Sequence, residues 1–107
     1  MSLTKGEVVF HKGDAGDEMF VIMRGQVAIR DHDVQLAMLG PRDFFGELAV
    51  LDREPRSADA VCAEDCDLLR LKGPDLHELL ARRPGIQQQL MLALVRRVRD
   101  MGKRVAG

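Results

Sequence analysis

Cysteine is scarce in this chain: Cys62 and Cys66 are the two in 107 residues. Two thiols cannot build the disulfide framework of a small secreted domain. Their x3 spacing has no second ligand pair near it, which argues against zinc. They are expected to be small residues in or beside neighbouring strands, kept reduced in a cytosol. No run of about 18 apolar residues occurs, so no helical membrane span is expected. No basic stretch followed by an apolar one opens the sequence, so no signal peptide is expected. The net charge of −1 lacks the basic excess of a chain that binds nucleic acid over its whole surface. His11, His32 and His77 lie far apart, with no H-x-H and no helical i, i+4 pair, so no metal site is expected. No Ser-His-acid or Cys-His spacing supplies a nucleophile, and the chain is expected not to be an enzyme.

What is present fits one globular domain. A chain of 107 residues, 46% of them hydrophobic, can bury roughly 60–70% of its unfolded surface. Val8-Val9-Phe10 leads into Lys12-Gly13-Asp14-Ala15-Gly16-Asp17, a turn by composition. Met19-Phe20-Val21-Ile22-Met23 is a continuous apolar run bounded by Arg24-Gly25 that suits a buried strand. Residues 26–30 alternate polar and apolar, Asp31-His32-Asp33 turns the chain, and Val34 to Leu39 follows as a strand. Ser57 to Ala63 and Cys66 to Lys72 read as two more strands, with Glu64-Asp65 between them. Turn signals every ~8–12 residues point to an all-β sandwich, barrel or jelly roll.

The period then changes. Gly73-Pro74-Asp75 opens a helix over 73–83 whose apolar face is Leu76, Leu79 and Leu80. A second helix is expected over 84–105, with Ile86, Leu90, Leu94, Val98, Met101 and Val105 along one stripe. That stripe could pair with its twin in a homodimer. The cations Arg96, Arg97, Arg99, Lys103 and Arg104 read as a solvated face near a helix C-terminus, not as a nucleic-acid or membrane patch. No repeat, low-complexity tract or linker interrupts the chain.

The chemistry concentrates in residues 44–58, Phe-Phe-Gly-Glu-Leu-Ala-Val-Leu-Asp-Arg-Glu-Pro-Arg-Ser-Ala. A glycine and an acid open a short apolar helix. A polar, proline-bearing turn follows, then an arginine and a small hydroxyl residue. A cyclic nucleotide needs such a set, because it offers one anionic phosphate beside one ribose hydroxyl. Arg56 can meet the phosphate with a rigid fork of donors. The helix start at Glu47-Leu48-Ala49 offers free backbone N–H groups, and the small Ala49 allows close approach. Ser57 can add a hydroxyl donor. Glu47 can accept a ribose 2′-hydroxyl, or serve as an internal partner for Arg56. Gly46 reads as a close-approach or positive-φ position.

This stretch resembles the phosphate-binding cassette of the cyclic nucleotide-binding domain family. Lys5 to Phe10, Gly13-Asp14, Gly16-Asp17, Met19 to Ile22 and Gly25 resemble the first half of that family's β-roll. The closing helices are similar to its B and C helices. The resemblance implies a mainly β fold, a double-stranded jelly-roll β-roll over 1–72 carrying the cassette at 44–58. A B-like helix (73–83) and a C-like lid or dimer helix (84–105) would complete it. It implies phosphate contacts from Arg56, Ser57, Leu48 and Ala49, and ribose contacts from Gly46 and Glu47. Base contacts would come from Val34 and Leu36 on a strand and from Arg97, Val98 and Met101 on the last helix. The ligand would be cAMP in preference to cGMP, with no cofactor. The family usually carries helices before the first strand, and this chain starts almost on that strand. It therefore reads as a cytoplasmic sensor piece of a larger signalling protein, with an effector domain as its partner. The rival readings are a β-roll that serves only assembly, a cupin-like enzyme, and the sensory part of a transcription regulator.

Overall fold

The computed structural model describes the backbone of residues 1–106, with side chains for residues 1–94 and Arg96. Two compact units divide it, Met1–Gly73 and Pro74–Gly107. The first holds strands β1 (Ser2–Leu3), β2 (Val8–Phe10), β3 (Glu18–Arg24), β4 (Val27–Asp31), β5 (Val34–Leu39) and β6 (Phe44–Phe45). A short helix α1 (Glu47–Asp52) then precedes β7 (Asp59–Cys62) and β8 (Cys66–Lys72). Two further helices follow, α2 (Gly73–Arg82) and α3 (Pro84–Ala106).

The strands form two four-stranded antiparallel sheets, ordered β1-β8-β3-β6 and β2-β7-β4-β5. The chain changes sheet at every connection but one, the β4–β5 hairpin, whose turn holds His32 in a left-handed conformation. This winding is the expected jelly-roll β-roll. Its core draws on both sheets: Phe20, Ile22, Phe45, Cys66 and Leu68 from one, Val27, Ala60 and Cys62 from the other. Each large side chain removed from water here contributes about 1.5–3 kcal/mol. That core ties together the strands from which the 44–58 segment is hung.

Both cysteines are buried and free, at the end of β7 and the start of β8. The Cys66 thiol lies 3.2 Å from the Gln26 carbonyl and 3.3 Å from that of Glu64. Burial pushes the Cys62 thiol up to about 12, with the neighbouring Cys66 adding to the effect. A thiol so far from ionising packs as a small hydrophobe.

Two expectations needed correction. The run Met19 to Met23 is buried only in part: Met19, Phe20 and Ile22 are buried, whereas Val21 is half-buried and Met23 is 62% exposed. Continuous apolarity reflects a strand with an apolar outer face as well as an inner one. The strand expected over 57–63 is shorter, because the backbone just before it pairs elsewhere. Arg56 donates its N–H to the Asp14 carbonyl at 2.9 Å, and its carbonyl accepts from Gly13 N–H at 2.8 Å. The β2–β3 loop thereby holds this stretch, and β7 starts at Asp59.

In the second unit, α2 opens with Pro74 in its first turn, where the missing N–H costs little. Along α3, Ile86, Leu90 and Leu94 are half-buried while Met91 and Leu92 are exposed. No helix among the described residues is long and apolar enough to cross a membrane.

Candidate functional site

Strand β6 pairs with β3 through Phe20↔Phe45 and Val21↔Phe44, which fixes the start of the 44–58 segment against the core. The chain then reverses at Gly46, whose φ of 81° lies in the left-handed region. A Cβ there would also stand 2.7 Å from Nη1 of Arg56. Gly46 is thus required both by its backbone and by the space beside it. Helix α1 packs against β3 with Ala49 and Val50 buried and Leu48 half exposed. Asp52 accepts from the Glu54 N–H at 2.9 Å, closing the turn beyond Arg53, itself in the left-handed region at φ 59°.

Arg56 is 6% exposed, and Glu47, the first residue of α1, is 4% exposed. These are the two charged side chains buried among the described residues. Arg56 Nη1 donates to the Gly46 carbonyl and Nη2 to the Glu18 carbonyl, both at 2.8 Å. Its Nε is buried and makes no hydrogen bond among the described residues. The guanidinium carbon sits 4.2 Å from the centre of the Phe10 ring. Burial pushes the Arg56 pKa down, and Glu18, Asp14 and Glu47, in that order, pull it back up. Arginine keeps its charge under these conditions. A buried cation is a favourable place for an anion.

A cavity of about 240 Å³ lies on the β2–β3 loop side of Arg56. Val9, Phe10, Phe20 and residues Asp14 to Glu18 line it together with Arg56. No residue of α1 lines it.

The residues singled out from sequence fall into four groups. Gly46, Glu47, Leu48, Ala49 and Arg56 come together around α1, tied by the bond from Arg56 to Gly46. Ser57 follows Arg56 and is exposed. Val34 and Leu36 lie two apart on the edge strand β5, 61% and 41% exposed. The side chains of Arg97, Val98 and Met101 lie outside the described residues. Sequence reasoning missed the structural parts of Phe10, Gly16 and Glu18. No local pattern marked them: a Cβ on Gly16 would fall on the Arg56 guanidinium, 40 positions away in the chain.

Residues 1–83 match the family model of the cyclic nucleotide-binding domain. The Cyclic AMP receptor protein of Thermus thermophilus is 38% identical over 101 residues, covering 90% of this chain and 47% of that protein. The crystal structure of the Thermus thermophilus Catabolite Activator Protein superposes with a TM-score of 0.88 at 34% identity. It covers 98% of this chain and 52% of that one. A structure from work on a cyclic-GMP-dependent signalling pathway in bacterial phytopathogenesis gives a TM-score of 0.83 at 32% identity, over 92% of this chain and 83% of that one. The chain spans about half the length of the curated receptor-type relatives it matches.

Proposed function

Because the chain belongs to the cyclic nucleotide-binding domain family, we propose that it is a non-catalytic sensor that binds cAMP in preference to cGMP and passes the signal on through its last helix. The observation that carries this reading is the buried Arg56 guanidinium, bonded to the Gly46 carbonyl at the mouth of α1. A cyclic phosphate keeps its charge near neutral pH and needs such a partner. Arg56 and Ser57, with the backbone N–H groups of Leu48 and Ala49, hold the phosphate. Glu47 accepts the ribose 2′-hydroxyl, and Gly46 lets the sugar approach. The base rests against Val34 and Leu36, under a lid of Arg97, Val98 and Met101. Closing that lid couples ligand to output only if the two lid states differ in ligand affinity.

The name of the Thermus receptor favours cAMP, while the cyclic-GMP-linked neighbour keeps cGMP as the second ligand to test. The receptor-type relatives are about twice as long, so the parent protein is read as a transcription regulator with this segment as its sensor. An effector domain and a homodimer through α3 are the partners in that reading, and the setting is cytoplasmic.

Calorimetric titration of the chain and of Arg56→Ala with cAMP and cGMP tests the site. Removing the charge partner is expected to cost about 2–5 kcal/mol of binding. A parent chain that binds neither nucleotide at high micromolar concentration overturns the reading. So does an Arg56→Ala variant that binds as tightly as the parent.

A further inference from the structure

Arg56 is held by more than hydrogen bonds. Its guanidinium carbon stands 4.2 Å from the centre of the Phe10 ring, well inside the range of a cation–π contact. The Phe10 ring is itself wedged by Phe20 and Phe45, with ring centres 6.1 and 5.9 Å away. Gly16 approaches the same guanidinium from the β2–β3 loop. A Cβ on Gly16 would fall onto Nε and Cζ of Arg56 and 2.5 Å from Nη2. Gly16 has no left-handed φ to explain it, so the space itself demands a glycine. The orphaned Nε lies under this backbone.

We propose that Phe10 and Gly16 are positioning residues of the phosphate site, a ring and a bare backbone that together fix the Arg56 fork before ligand arrives. The proposal rests on the reading of Arg56 as the phosphate partner. Arginine has many rotamers, and a fork already held in place surrenders little freedom on meeting phosphate. The carbonyls of Gly46 and Glu18 set its terminal nitrogens, and the ring and the glycine set its plane. Neither positioning residue needs to touch the ligand.

The experiment is cAMP and cGMP titration of the full chain carrying Phe10→Leu, Phe10→Tyr or Gly16→Ala, each also in an Arg56→Lys background. Phe10→Leu is expected to weaken binding roughly tenfold, because it frees the plane of the Arg56 fork. Phe10→Tyr, which keeps the ring, should restore most of it. In the Arg56→Lys background the same Phe10→Leu change should do almost nothing, because an ammonium has no plane to fix. Gly16→Ala should weaken binding at least as much as Phe10→Leu. A tenfold loss in both backgrounds, or parent-like binding by Phe10→Leu, overturns the proposal. A parent that binds while Phe10→Leu matches it defeats the clamp alone; a parent that binds neither nucleotide defeats the phosphate reading, and the clamp with it. Nitrogen-15 spectra of the unmutated chain give a readout that needs no variant to fold. The Arg56 Nε–H should be shielded by the ring and slow to exchange, and an exposed, unshifted signal would contradict the clamp.

Discussion

The two ends of the proposed ligand site are built in opposite ways. Around Arg56 every neighbour is fixed: a left-handed glycine, two carbonyls at 2.8 Å, a ring at 4.2 Å and a loop that leaves no room for a Cβ. On β5, Val34, Leu36 and Met38 are 61%, 41% and 43% exposed along an edge strand. On the proposed reading, the difference follows from what each end would bind. A charged group leaving water needs its partners already arranged, since an ill-set partner costs several kcal/mol. An apolar face needs only area and gains its contact when something covers it. On the proposed reading, the contrast teaches that charge would be recognised within the β-roll, while the flat, apolar part of the ligand would need a second surface.

The sharpest way to probe the fixed end is Glu47. If it accepts the ribose hydroxyl, the parent should prefer cAMP over 2′-deoxy-cAMP by about 1.5–3 kcal/mol, the range for a hydrogen bond to a charged group. Calorimetry on Glu47→Ala should find that preference gone. A preference left unchanged removes Glu47 from the ribose role. Next comes Gly46→Ala, which puts a side chain into a left-handed backbone and against Arg56. Denaturant unfolding should report a loss of about 1–2 kcal/mol, and no loss would mean the turn can flip at little cost. The smallest effect belongs to the open end. Val34→Ser should change unfolding stability by no more than about 0.5 kcal/mol, as for most exposed positions. A loss comparable to that of Gly46→Ala would erase the contrast between the two ends.

Local signals were the legible ones. Gly46, Glu47, Ala49 and Arg56 lie within eleven positions of one another, so their spacing alone announced a turn, a helix start and a donor fork. The jelly roll was readable from the regular recurrence of turns, and the break between the last two helices from Pro84. The clamp was not readable, because Phe10 and Gly16 reach Arg56 across about 40 residues of chain, and no local pattern encodes such an approach. The extent of β7 was misjudged for the same reason: Arg56 pairs with Gly13 and Asp14 through main-chain bonds that side-chain pattern does not register. The apolar run at Met19 to Met23 misled in a different way. Periodicity reports where hydrophobic groups stand along a strand, and not whether its outer face is covered.

The chain has no tryptophan and no tyrosine, and three of its four phenylalanines, Phe10, Phe20 and Phe45, form the cluster beneath Arg56. Three of the four aromatic rings behind its near-ultraviolet spectrum therefore stand at one place. The phenylalanine fine structure in circular dichroism becomes an unlabelled optical gauge of the arginine's surroundings. A single tryptophan installed elsewhere would fluoresce against a dark background, so the motion of any chosen element can be followed by light alone.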